Sequence, residues 1–312
     1  MKPWVDEEVP SASWPVCFLG KISLMSLRHD TEVQQNLACY SLALPFVPTS
    51  GRSGELLGRG TGSSLEFQEY RTYQLGDDIR HLDWAAYARS DHLMVRLFRE
   101  EISPHVEILL DASRSMNTGD GTKARVALQL TSLLAQLCGR MSGQPRVIVA
   151  KSERPCPAYG LNQLDLLTPS IFSSVTNIDE LLTDHAVTFR GKSIRIVISD
   201  FMFPHDPQSL VRRLATNASA LWMIQLLTRW ESHPTNLGGH RLTDVESGQE
   251  IDLYLNESVL TNYRHRLKTL QDSLRINAQR LHSKFVVAIA DETLSPLCRN
   301  TLAPAGLLTS SM

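Results

Sequence analysis

No stretch of this chain approaches the roughly 20 consecutive apolar residues that a bilayer-spanning helix needs, so the expectation is a protein without a membrane span. Cysteine is scarce and scattered. Cys17, Cys39, Cys138, Cys156 and Cys298 are odd in number and contain no C-x-x-C, which argues against a disulfide framework and a structural zinc site and fits a reducing cytoplasm. The ten histidines include no H-E-x-x-H, so zinc catalysis has no motif to stand on. An excess of charge of either sign is also missing: the net charge is −2, which gives no electrostatic reason to expect nucleic acid as a partner. Gly58-Arg59-Gly60-Thr61-Gly62 is glycine-rich but lacks the G-K-[ST] of a phosphate loop. Ser113 and Ser115 sit in no G-x-S-x-G elbow.

The 312 residues, 42% of them hydrophobic, are enough for one large core and a smaller attached unit. Residues 1–50 read as a peripheral N-terminal extension. Pro3, Pro10 and Pro15 punctuate its start without the pattern of a signal peptide, Asp30 to Ala43 has a helical spacing of Val33, Leu37 and Leu42, and Pro45, Pro48 and Gly51 break it. Residues 51–103 read as β-rich, with an alternating strand from Phe67 to Tyr73, a turn at Gly76-Asp77-Asp78, and a mixture of aromatic, acid and arginine that continues through Ile79 to Trp84 and Leu93 to Arg99. From 104 to 312 apolar strands alternate with amphipathic helices, which predicts an α/β fold, a doubly wound and mostly parallel sheet with helices on both faces. Strands are expected at Val106 to Leu110, Arg146 to Ala150, Ser193 to Asp200, Ser219 to Leu227 and Lys284 to Ala290. The helix from Thr122 carries a stripe of Val126, Leu130, Leu133, Leu134, Leu137 and Met141, and that from Asn256 one of Leu260, Tyr263, Leu267, Leu270, Leu274 and Leu281. An inserted β-hairpin over 238–255 interrupts the alternation, and the expectation is that it joins the 67–99 strands in one small accessory β-rich unit.

The chemistry collects where strands end. The apolar run Val106 to Leu110 stops at Asp111, hydroxyls follow at Ser113 and Ser115, and Ile198-Ser199-Asp200 repeats the pattern of a strand closed by an acid. In open α/β sheets the carboxyl rim is where ligands bind, and carboxylate with hydroxyl oxygens suits one hard cation, Mg²⁺ or Mn²⁺, better than zinc. The alternative is that these are ordinary turn and helix-cap residues, and Asp291, after the last strand, is read that way. In the upstream segment Arg71, Asp77, Asp78, Arg80, Asp83, Trp84, Arg89 and Arg96 form either an internal ion network, to which planar arginine forks are suited, or a surface for recognising a partner. An RNA-stacking face with Tyr70, Tyr73, Trp84 and Tyr87 is a third reading, weakened because acids interrupt the basic track.

Asp111-x-Ser113-x-Ser115, a threonine in a later helix-entry loop and Ile198-Ser199-Asp200 resemble the metal-ion-dependent adhesion site of von Willebrand factor A domains. That resemblance implies hydroxyl ligands from Ser113, Ser115 and Thr176, with Thr168 as the rival of Thr176, and carboxylates from Asp111 and Asp200, direct or through water. The upstream residues Gly58-Arg59-Gly60, Phe67-x-x-Tyr70-Arg71-x-Tyr73-x-x-Gly76-Asp77-Asp78-x-Arg80-x-x-Asp83-Trp84-x-x-x-Ala88-Arg89 and Val95-Arg96-x-Phe98-x-x-Glu101 resemble the family called domain of unknown function 58. Its members often occur beside MoxR-type AAA+ ATPases, so the resemblance implies such a partner and a role in assembling protein complexes.

Together these expectations describe a non-enzymatic binding protein whose cation recognises an acidic residue on another protein. A Mg²⁺-dependent phosphohydrolase is the enzyme alternative, since it too has an Asp at the end of the first strand. It usually needs a second acid two residues on for proton transfer, where this chain has Ser113.

Overall fold

The computed structural model describes residues 26–43, 65–100, 105–141, 143–235, 238–243, 250–290 and 293–311. Gly58 to Gly62 and Asp291 lie outside the described residues. Strands are β1 (Tyr40–Leu42), β2 (Leu65–Thr72), β3 (Met94–Glu100), β4 (His105–Asp111), β5 (Gln144–Ala150), β6 (Ala158–Gly160), β7 (Ser193–Ser199), β8 (Ala218–Leu227), β9 (Gly238–Thr243), β10 (Glu250–Leu255), β11 (Lys284–Ile289) and β12 (Leu308–Ser310). Helices are α1 (Thr31–Cys39), α2 (Trp84–Ser90), α3 (Thr122–Arg140), α4 (Ile178–Thr183), α5 (Pro207–Ala215), α6 (Arg229–Ser232), α7 (Glu257–Arg280) and α8 (Leu294–Leu297).

Among the described residues the central sheet has six strands in the order β11-β8-β7-β4-β5-β6. All its pairings are parallel except the short β5–β6 edge. Both faces are covered, as continuous apolar strands require. Ile108, Leu110, Val147, Val149, Ile196 and Ile198 point into a core shared with α1, α3 and α8, while Leu109, Ile148, Val197 and Met223 point into one shared with α4, α5 and α7. The expected mixed α/β architecture with its mostly parallel sheet is thus present. The stripe of α3 is buried from Val126 to Leu137, but Met141 and, after α7, Leu281 are exposed. Both are the residues that terminate their helices, so the periodicity outlasts the backbone that would bury it.

Two parts depart from expectation. Residues 26–43 are not peripheral: Asp30 caps α1 by accepting from the N–H groups of Glu32 and Val33, Val33 and Leu37 are buried against α3, and β1 pairs with β12. Leu42, expected on the helix, is buried from β1 instead. The accessory strands, expected in one β-rich unit, form two separately hydrogen-bonded ladders, β2–β3 and β9–β10, among the described residues. Between β2 and β3 lies a helix the alternation concealed: Asp83 accepts from the N–H groups of Ala85 and Ala86 and so starts α2. Among the described residues no helix is long and apolar enough to cross a membrane.

Candidate functional site

The sheet grows in opposite directions from its middle. From β4 the chain adds β5 on one side, and from β7 it adds β8 on the other, so the β4/β7 boundary is the topological switch point where crossovers diverge and open a crevice at the carboxyl ends. Asp111 is the last residue of β4 and Asp200 the first beyond β7. Both are buried.

The donors that meet Asp111 do not offset its burial. Its Oδ1 accepts the Ser113 N–H at 2.9 Å and its Oδ2 the Ser199 hydroxyl at 2.5 Å. Ser199 is held for that task because its oxygen accepts the Phe201 N–H at 2.9 Å. Phe201, fully buried, has φ of 53°, a left-handed conformation unusual for a bulky residue and frequent at functional sites. Burial first, and the like charge of Asp200 second, push the Asp111 carboxyl up to about 6, against the pull of its hydrogen bonds to Ser199 and Ser113.

Asp200 is better provided. Its Oδ1 accepts the Met202 N–H at 3.0 Å, and its Oδ2 meets Lys123 Nζ at 2.9 Å. Lys123 follows Thr122 in the first turn of α3, entered through Gly121 at φ 77°, and is fully buried. The same ammonium contacts both oxygens of Glu231, at 2.9 and 3.2 Å. Burial pulls the Lys123 ammonium down, but Asp200 and Glu231 outweigh it and lift it above the ordinary lysine value. Glu231 is in turn the capping-box acid of α6, accepting from the Thr228 N–H at 2.7 Å. Its backbone carbonyl accepts the Tyr263 hydroxyl at 2.5 Å, from α7. Burial and then Glu231 and Asp200 push that phenol up to about 12.

The hydroxyls gather beside Asp111. Ser113 Oγ and Ser115 Oγ are 2.9 Å apart. Ser113 bridges to Ser174 through the backbone, Ser174 Oγ lies 3.1 Å from Ser152 Oγ, and Ser152 Oγ lies 3.0 Å from Thr176 Oγ1. Thr176 therefore belongs to the same loop cluster, just before α4, where Asn177 accepts the Glu180 N–H as helix cap. Thr168 is exposed and bonds Ser170 at 2.7 Å, in a turn of its own. Its oxygen is satisfied locally.

The upstream residues do not reach this rim as one network. They form three local pairs: Arg71 with Asp77 at 2.7 Å, Arg80 with Asp78 at 2.6 Å, and Arg96 with Asp83 at 2.9 Å. Arg80 holds Asp78 down at about 2. The N–H of Ala86 first, with Tyr70 and Arg96 after, holds Asp83 at about 2 as well, against burial. Arg89 lies exposed in the last turn of α2, and Trp84 is 61% exposed at its start, in edge contact with Tyr87.

Residues 69–273 match the family described as Protein of unknown function DUF58. The chain belongs to that family. Uncharacterised proteins Rv1480 of Mycobacterium tuberculosis and Mb1516 of Mycobacterium bovis are each 26% identical to it over 207 residues, or 62% of the chain. The chain spans 65% of the length of these curated relatives. Among solved structures, conserved hypothetical protein BatB from Bacteroides thetaiotaomicron is similar at 13% identity and a TM-score of 0.35, covering 63% of this chain and 95% of that one. An aerotolerance-related membrane protein from Bacteroides fragilis is similar at 15% identity and a TM-score of 0.31, covering 57% and 98%.

The DUF58 match contains the whole rim, including residues that pattern reading passed over. Lys123 is the clearest omission. It stands three residues before Val126 and seven before Leu130, in phase with the buried stripe, and a lysine in that phase is a signal for a buried partner. Ser199 lay inside the strand motif but was not assigned a contact. Ser152 and Ser174 carry no local signature, and Glu231 carries only that of its capping box with Thr228; only the folded loops bring them to the site.

Proposed function

We propose that this DUF58 protein is a non-enzymatic binding and assembly factor. In this reading a von Willebrand factor A-like domain holds one divalent cation at an adhesion-type site and presents it to an acidic residue of a partner. Asp111, Ser113, Ser115 and Thr176 are its oxygen donors, with Asp200 acting directly or through water. The observation that carries the reading is the under-compensated Asp111, buried at the switch point beside a second carboxylate and next to a pair of hydroxyls 2.9 Å apart. The donor set fits the ion: it is all oxygen, as Mg²⁺ and Mn²⁺ prefer, and a divalent charge would offset the burial, and the repulsion by Asp200, that raise Asp111. When bound, the ion supplies a Lewis-acidic position that a carboxylate from outside completes. The chain's own part is to hold its donors in place, Ser199 fixing Asp111 and the Met202 N–H fixing Asp200.

By family resemblance the partner is a MoxR-type AAA+ ATPase, or a client that such an ATPase acts on, in the cytoplasm. The phosphohydrolase alternative gains nothing from the rim, because Ser113 fills the position of the second acid and bonds Ser115. The test is affinity capture from native lysate with Mg²⁺ or with chelator, using wild type and Asp111→Ala. The expected result is a MoxR-type ATPase retained only by wild type with metal. Capture that ignores both chelation and the substitution, or Asp111-dependent turnover of a phosphate ester, overturns the proposal.

A further inference from the structure

We propose that Lys123 sets the charge of the carboxylate rim and thereby the affinity of that rim for a divalent cation, an inference that rests on the metal reading above. A fully buried lysine is costly unless paired, and its ammonium has three donors. Lys123 places them on two different acids, one at the site and one outside the proposed donor set: Asp200 Oδ2 at 2.9 Å, and Glu231 at 2.9 and 3.2 Å. The count that matters is formal. Asp111, Asp200 and Glu231 bring three negative charges, Lys123 returns one, and the remainder is −2, the charge one divalent ion cancels. Lys123 is thus a tethered monovalent cation that competes for Asp200, and Glu231 determines how firmly it is drawn away. It is a positioning residue in this scheme, acting on the ion through Asp200.

The two partners of the ammonium give opposite signatures. Lys123→Met keeps the apolar stem and removes the charge, leaving the rim more negative. Glu231→Gln removes an acid and leaves the ammonium to Asp200. Titrating the full chain with MgCl₂ and MnCl₂ against a chelator baseline, by calorimetry and by thermal melting, separates them. Lys123→Met is expected to melt below wild type in chelator yet bind the cation about tenfold or more tightly, because charges a few ångströms apart in a buried site are weakly screened. Its cation-induced rise in Tm then exceeds that of wild type by a few degrees. Glu231→Gln is expected to bind more weakly, and Lys123→Arg, which keeps the charge, to resemble wild type. Should Lys123→Met fail to fold, the Glu231→Gln and Lys123→Arg pair carries the same comparison.

A merely structural lysine predicts something else: equal loss of Tm with and without cation, and unchanged affinity. That outcome, with wild type still binding, overturns this inference and leaves the proposed function standing. Binding by Lys123→Met but not by wild type does the reverse, making the ammonium the resident cation of the native protein and removing the metal from the function. No binding by wild type or any variant overturns both.

Discussion

Asp83 and Asp111 are both buried aspartates, yet one belongs to the accessory hairpin and the other to the sheet rim, and their surroundings are opposite in kind. Asp83 has its own helix N-terminus and its own cation: two N–H groups of α2 and the Arg96 guanidinium meet it, and it is held at about 2. Asp111 accepts from the Ser113 N–H and from the Ser199 and Ser113 hydroxyls but has no cation of its own, and burial first, with the like charge of Asp200 second, outweighs them and pushes it up to about 6. A carboxylate surrounded by its compensation is finished, and it stabilises the piece of chain that makes it. One that is buried without compensation raises the energy of the fold, and it persists where something from outside completes it. This contrast, more than the presence of acids in either region, separates the structural reading of the arginine-rich segment from the functional reading of the rim.

The largest expected effect comes from breaking the unfinished side of the comparison. Asp111→Asn removes a repelling charge while keeping the side chain's shape, so in chelator near neutral pH the variant is expected to melt a few degrees above wild type, and to lose all cation-induced stabilisation. Asp83→Ala is expected to do the opposite, lowering Tm by a few degrees through the lost cap and ion pair while the cation response stays that of wild type. Thermal melting of both variants, with MgCl₂ and with chelator, checks the pair. If both variants lower Tm alike and leave the cation response intact, the distinction collapses.

A pH series sharpens the same comparison with a smaller effect. The Asp111 carboxyl has an ordinary value near 3.8 and a folded value of about 6. Between these the folded protein keeps a proton that the unfolded chain has lost, so stability is full below about pH 4 and declines as pH rises through about 6. Asp83 runs the other way: its contribution is present above about 3.8 and is lost as pH falls toward about 2. In chelator, wild type is therefore expected to lose Tm between about pH 4 and 6, a slope absent from Asp111→Asn and retained in Asp83→Ala. A wild-type Tm that rises over that interval by the amount seen in Asp111→Asn removes Asp111 as its source.

How much of this was legible in the sequence follows from the range of the interactions involved. Alternating apolar strands and the stripe of α3 are local patterns, and they were enough to predict a mostly parallel sheet with Asp111 and Asp200 at strand ends. The start of α7 near Asn256 and the 238–255 hairpin were equally local. Helix α2 was hidden because Trp84-Ala85-Ala86-Tyr87-Ala88 has no apolar stripe, and its start depends on one aspartate. Residues 26–43 looked peripheral because their partners, in α3 and β12, are distant in the chain. Lys123 was readable in phase but not in partner, since Asp200 and Glu231 lie 77 and 108 residues away.

The smallest expected effect decides between two threonines that sequence alone left open. Thr176 joins Ser152 and through it Ser174, which bridges to the Ser113 backbone, whereas Thr168 turns back on Ser170. A neutral hydroxyl contributes less to holding a hard cation than a carboxylate does, so Thr176→Val is expected to weaken cation binding by only a few-fold, about 1 kcal/mol at most as for a single neutral hydrogen-bonding group. Thr168→Val is expected to leave binding unchanged, and calorimetric titration with MgCl₂ resolves the two. The reverse order would place the third hydroxyl outside the serine cluster. The rim would then have to be rebuilt around a hydroxyl that is bonded to Ser170 and not to the serine cluster.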